Sequence, residues 1–174
     1  MSTVQPTEAL RAPRGGMFAA GLALALAARR GLDHLVPALD LLIRVFVASV
    51  FFNSGLTKIA SWSSTVSLFE NVYAVPLLPP QLAALLGTGV ELIFPLLLLF
   101  GLGTRFAAAV LFVFNIVAVL SYPDLGEVGL KDHQTWGLLL LVTLLHGPGK
   151  WSLDHLFGRR LVARLQARLA PHKD

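Results

Sequence analysis

Residues 81–102 read QLAALLGTGVELIFPLLLLFGL, an apolar run broken by a single ionisable side chain, Glu91. About 20 apolar residues in helical conformation cross the hydrocarbon core of a bilayer, so this run has the length of a transmembrane helix. Glu91 falls near its middle, about 15 Å from either end at helical rise. A charged carboxylate alone at that depth costs at least ~2.5 kcal/mol on insertion scales, so Glu91 needs a partner or a proton. Four residues on, Pro95 lacks the amide that would bond the Glu91 carbonyl, which frees acceptors at one depth and predicts a helix kink. Gly87 and Gly89 let a neighbouring helix or a ligand come close to the same place.

The flanks repeat this character. Pro79-Pro80 suits a helix start. Further spans are expected over Leu41 to Ala60, over Arg105 to Tyr122, where Pro123 stops the helix, and from Asp132 to the stop at His146-Gly147-Pro148-Gly149. The last has only Thr135 to Leu145 free of charged or strongly polar residues. It crosses only if His133 and Gln134 also lie within the bundle, facing inward away from lipid. The fold class is therefore all-α: a four-helix transmembrane bundle, with an N-terminal interfacial helix and a C-terminal amphipathic helix.

Composition agrees. Of 174 residues, 55% are hydrophobic and 14% charged, with a mean hydropathy of +0.70, which lies outside the soluble globular range. The net charge of +4 does not point to nucleic acid, because the basic residues gather at the chain ends and no face interleaves them with aromatics. The absence of cysteine excludes disulfides, thiolate metal sites and dithiol relays. Redox chemistry would come from a cofactor or a partner.

Residues 1–16 mix prolines, glycines and arginines and read as a tail. The apolar run Met17 to Ala28 is too short to cross and reads as an interfacial helix, with a cleavable signal sequence as the alternative. Arg29, Arg30, Arg105, Lys150, Arg159 and Arg160 fall on one side of a four-span chain. Lys58 and Lys131 face Glu70, Asp124, Glu127 and Asp132 on the other, so both termini are expected in the cytoplasm. Beyond the last span Leu161, Leu165 and Leu169 recur every fourth residue beside Arg160, Arg164 and Arg168, the pattern of a helix lying on the inner leaflet.

The cation nearest to Glu91 is Lys58, whose stem can bend inward from the outer end of the first span. At 100° per residue Arg44, Gly55 and Lys58 share one face and Asn53 points away. Asn115, His133, Gln134 and Trp136 complete a polar cluster expected in the outer half, with Glu91 at its floor. Each has a structural alternative: Lys58 and Arg44 as snorkelling residues, Asn115 as interhelical glue and Trp136 as an interfacial anchor. His146 reads as interfacial. No histidine pair has i, i+4 spacing, so no metal site is expected.

Several motifs together resemble the DoxX family of small four-helix inner-membrane proteins. They are Arg44 followed by Phe52-Asn53-Ser54-Gly55-Leu56-Thr57-Lys58, then Glu91, Gly101-Leu102-Gly103-Thr104-Arg105 and Gly147-Pro148-Gly149-Lys150-Trp151-Ser152-Leu153-Asp154. Pro76-Leu77-Leu78-Pro79-Pro80, the step from Glu91 to Pro95, Tyr122-Pro123, and His133 with Trp136 are similar to a branch encoded near machinery that modifies copper-binding peptides. The resemblance implies a DoxX-like domain over 38–149, between a basic tail with interfacial helix (1–37) and a basic amphipathic cytoplasmic tail (150–174). It also implies residence in the bacterial cytoplasmic membrane. The implied role is an accessory or quinone-interacting subunit of a membrane oxidoreductase or a copper or oxidative-stress system. Quinone is the cofactor so implied, and membrane redox or peptide-modification proteins, or further copies of the chain, are the implied partners. A ligand-free scaffold and a small ion or proton transporter are the alternatives.

Overall fold

A computed structural model describes residues 16–158 except Pro76, together with Arg160. The tail before Gly16 and the basic helix expected over Leu161, Arg164, Leu165, Arg168 and Leu169 lie outside the described residues.

The described residues form five long or medium helices and a short helical stretch at 153–158, with no strand. The helices are α1 (Gly16–Ala60), α2 (Trp62–Asn71), α3 (Pro80–Phe100), α4 (Thr104–Ser121) and α5 (Gly126–His146). The chain separates into two units, Met1–Leu35 and Val36–Asp174. In the first, Phe18, Leu22, Leu24, Leu32 and Leu35 of α1 are exposed. The second holds the helical bundle.

Two features differ from expectation. A short helix over Met17 to Ala28 and a separate span from Leu41 were expected, but α1 is continuous from Gly16 to Ala60. Arg29 and Arg30 are good helix formers, and Pro37 removes one amide donor without ending the helix. The second difference is α2, a helix in a stretch between the expected spans to which no element was assigned. It is fixed at both ends by side chains: the buried Thr65 hydroxyl donates to the Lys58 carbonyl (2.9 Å) and Gln81 donates to Glu70 (2.8 Å).

The protein is a membrane protein of the all-α class. Segments of α1 (from Phe18 to Ala60), α3 and α4 are long and apolar enough to cross a membrane. Helix α5 matches α3 in length, but Glu127, Lys131 and Asp132 occupy its first two turns. Small residues let the helices approach: Ala83, Ala84, Ala107 and Ala108 are all buried. The approach is tightest at Gly55, where a Cβ would sit 2.8 Å from Leu92 Cδ2 and 3.1 Å from Glu91 Cβ. Any larger residue would have to push Leu92 aside, so α1 lies directly on α3 beside Glu91. Below that contact Val47, Phe51, Leu98, Leu111 and Leu140 fill the middle of the bundle.

The end of the bundle opposite α2 is tied by polar contacts. Gly101 (φ +67°) and Gly103 (φ +58°) turn the chain from α3 into α4. Helix α4 has no cap of its own. The Asp154 carboxylate supplies one from beyond α5, accepting from the Gly103 and Thr104 amides and the Thr104 hydroxyl, each at 2.8 Å. Burial alone pushes the Asp154 carboxyl up. The three hydrogen bonds and the nearby Arg44 guanidinium together outweigh it and hold the group below its usual range. Arg44 is buried and donates to the carbonyls of Asp40, Leu99 and Trp151. His146 Nδ1 lies 2.9 Å from Asp40 Oδ1.

Candidate functional site

The site grows from Lys58 and Glu91. Lys58 Nζ donates to Glu91 Oε2 at 2.6 Å and to Oε1 at 2.7 Å. Ser54, one turn before Lys58 on α1, ties both: its hydroxyl donates to Glu91 Oε1 (3.1 Å) and accepts from Lys58 (2.9 Å). The Glu91 side chain is 6% exposed and that of Lys58 17%, so the carboxylate is the deeper partner and the lysine reaches down to it. Gly55 makes this possible by removing the side chain that would hold α1 off α3. Helix α3 runs unbroken through Pro95, whose ring is fully buried below the pair.

The pair forms one wall of a cavity of about 380 Å³ between α2 and the middle of the bundle, within the range of small-ligand sites. Most of the lining is apolar or aromatic: Phe51, Phe114 and Trp136 pack edge to face, with ring centroids 6.3 Å and 6.1 Å from Phe51. His133 enters from α5, 4.7 Å from the Trp136 ring. Asn115 fixes it on both sides, with Oδ1 2.7 Å from His133 Nδ1 and Nδ2 donating to the His133 carbonyl at 2.9 Å. The remaining imidazole nitrogen has no hydrogen-bond partner among the described residues.

At the α2 end an aromatic ladder covers the cavity. Phe69 meets Tyr73 at 5.0 Å, and Tyr73 meets Tyr122 at 5.2 Å. The loop carrying Tyr73 is pinned by the Ala74 amide, which donates to the Ser121 carbonyl (2.8 Å). At the other end Val47, Leu98 and Leu111 are fully buried, so the cavity is blind in that direction.

The residues singled out from sequence are therefore distributed as follows. Glu91, Lys58, His133 and Trp136 line one cavity, and Asn115 holds His133 from behind. Arg44 does not join them: it is fourteen positions before Lys58, about 21 Å along the helix, and serves the opposite end of the bundle. Gln134 was expected to face the interior and is instead exposed, with no side-chain hydrogen bond among the described residues. The inward face of α5 is set by His133, Trp136, Gly137 and Leu140, and Gln134 stands about 100° past His133. Ser54, Tyr73 and Ser121 were not foreseen. Only Ser54 carried a signal, its i, i+4 spacing to Lys58.

Over 125 residues, covering 67% of this chain and 81% of the relative, the sequence is 36% identical to an uncharacterized protein of Haemophilus influenzae. No solved structure matches it. The DoxX family model matches residues 39–123, which include Lys58, Glu91, Asn115 and most of the cavity wall, and the chain belongs to the DoxX family.

Proposed function

We propose that the protein is a non-catalytic subunit of an oxidoreductase system in the bacterial cytoplasmic membrane, and that its cavity receives the headgroup of a quinone. The observation that carries this reading is one blind, aromatic-walled space with an ion pair on one wall and a free imidazole nitrogen on another. Flat apolar walls suit a ring, and a few placed polar groups orient it. Lys58, whose three N–H groups meet Glu91 Oε1, Glu91 Oε2 and Ser54 Oγ, donates to one ring oxygen in exchange for one of these bonds, and His133 is a proton-exchanging contact for the ring. Glu91 and Ser54 fix the direction of the ammonium group. A bound quinone supplies two-electron, two-proton chemistry. The chain has no cysteine, so the electrons come from a cofactor or a partner.

The basic residues set the orientation. With α5 as a fourth crossing, Arg44, Arg105, Lys150 and Arg160 lie toward the cytoplasm with both termini, and the cavity opens in the outer half. A transporter reading fits less well, because among the described residues the buried core layer closes the inner end of the cavity.

The test is purification from native membranes in mild detergent, followed by mass spectrometry of extracted lipophiles and of co-purifying proteins. A near-stoichiometric quinone with the unmodified chain, lost in Lys58→Met, is expected. Absence of both quinone and redox partner contradicts the reading. One observation favours a scaffold instead: Lys58, Glu91 and Ser54 satisfy one another without a ligand. A Glu91→Gln, Lys58→Met double variant with full cellular function would establish that second reading.

A further inference from the structure

The lining residues of the cavity are not equally enclosed. Only Leu78, Leu86 and Val117 among them are exposed, at 39%, 50% and 36%. Leu86 and Val117 belong to the halves of α3 and α4 nearest α2, and Leu78 leads into α3. The aromatic ladder covers the end of the bundle and the core layer blocks the other direction, so the open side is lateral, along α3 and α4. These apolar side chains face lipid in a membrane protein.

A second observation lies in the wall of the same cavity. Ser121, the last residue of α4, is 3% exposed and lines the cavity, and its hydroxyl has no hydrogen-bond partner among the described residues. A buried hydroxyl without a partner costs about 1–3 kcal/mol, so a partner is expected from outside the chain. Its depth defines that partner. Counted from the Gly101–Gly103 turn, Glu91 stands about 14 Å up α3 and Ser121 about 25 Å up α4, roughly 12 Å apart along the bundle. Side chains lean toward the N-terminus of their helix, which moves Glu91 toward the α2 end and Ser121 away from it. The remaining axial gap between the Glu91–Lys58 pair and Ser121 leaves room for one ring in the cavity that all three line.

Resting on the proposed quinone site, we infer that Ser121 is a second ligand-binding residue and that the ligand enters from the bilayer between α3 and α4. The ligand is lipophilic, with one oxygen on Lys58 in exchange for one of the bonds to Glu91 or Ser54, the opposite oxygen on Ser121, and its tail passing Leu86 and Val117 into lipid.

The experiment uses the full chain in liposomes with a benzoquinone bearing a decyl tail that ends in a diazirine. Saturable photo-adducts concentrated on the 82–90 and 113–121 stretches are expected. In Ser121→Ala, apparent affinity for the same probe falls about tenfold, the loss of one hydrogen bond, while the melting temperature holds or rises because an unpaired buried hydroxyl has gone. Saturable binding with tail adducts on α1 or α2 overturns the lateral route and leaves the quinone site standing. Unchanged affinity in Ser121→Ala overturns the role of the serine. No saturable adduct anywhere overturns this inference and the quinone reading together.

Discussion

Replacing Lys58 by Met tests the part of the structure from which the site is built. Two unit charges about 3 Å apart attract by roughly 5–6 kcal/mol at an effective dielectric of 20, and removing both from water takes back several kcal/mol. The pair is thus close to neutral against an apolar pair, but each charge depends on the other. Lys58→Met leaves Glu91, 6% exposed, with only the Ser54 hydroxyl, at a cost of about 3–5 kcal/mol. Glu91→Gln costs less, about 1–3 kcal/mol, because Lys58 is partly exposed near the end of α1 and its stem can swing outward. The double variant returns to within about 1 kcal/mol of the unmodified chain. The assay is reversible unfolding in detergent micelles or bicelles for all four proteins, closed as a double-mutant cycle. Two small single effects that simply add would refute the sealed ion pair.

Other perturbations probe the surroundings. Gly55→Ala places a Cβ within 2.8 Å of Leu92 and should cost about 1–3 kcal/mol in the same unfolding assay, with a larger loss in Gly55→Val. Gly101→Ala combines a positive φ with a Cβ 2.5 Å from both Arg44 Nη1 and Ser152 Cβ, so a strong fall in folded yield, read by size-exclusion chromatography, is expected. Asp154→Asn removes a charged cap from α4 and should cost about 1–2 kcal/mol near neutral pH. Because folding lowers the Asp154 value, its stabilisation is complete above the ordinary aspartate range and is lost as pH falls through the lower folded value. The stability gap between the unmodified chain and the variant, followed from pH 7 downward, should therefore close in acid and not in base. Asn115→Leu leaves His133 Nδ1 without its anchor and should loosen α4 from α5, seen as faster amide exchange over the first turns of α5.

Much of this site is legible in the chain because polar residues in apolar helices are costly and must meet. Glu91, Lys58, Asn115 and His133 stand out for that reason alone. The facing of Gly55 and Lys58 follows from helical angle, and Asn53 is exposed on the opposite side. Angle without depth misplaces Arg44, which shares their face but ends among the carbonyls of the far end. Helix α2 was hidden because five of the residues 61–67 are serine or threonine, which have weak helix propensity, and because its anchors, Lys58 and Gln81, lie outside it. The roof of the cavity is equally opaque to sequence: Phe69 comes from the end of α2, Tyr73 from just beyond it and Tyr122 from the end of α4, and only their packing makes them one wall. Ser121 looks like any helix-end serine until its surroundings are known.

Trp136 reports on the cavity directly, since it lies in the wall between Phe51 and His133. In a Trp62→Phe, Trp151→Phe background its fluorescence can be titrated with a decyl-benzoquinone in liposomes. The account predicts saturable quenching that weakens at least tenfold in Lys58→Met. Quenching that rises linearly with probe, and equally in the variant, would contradict it.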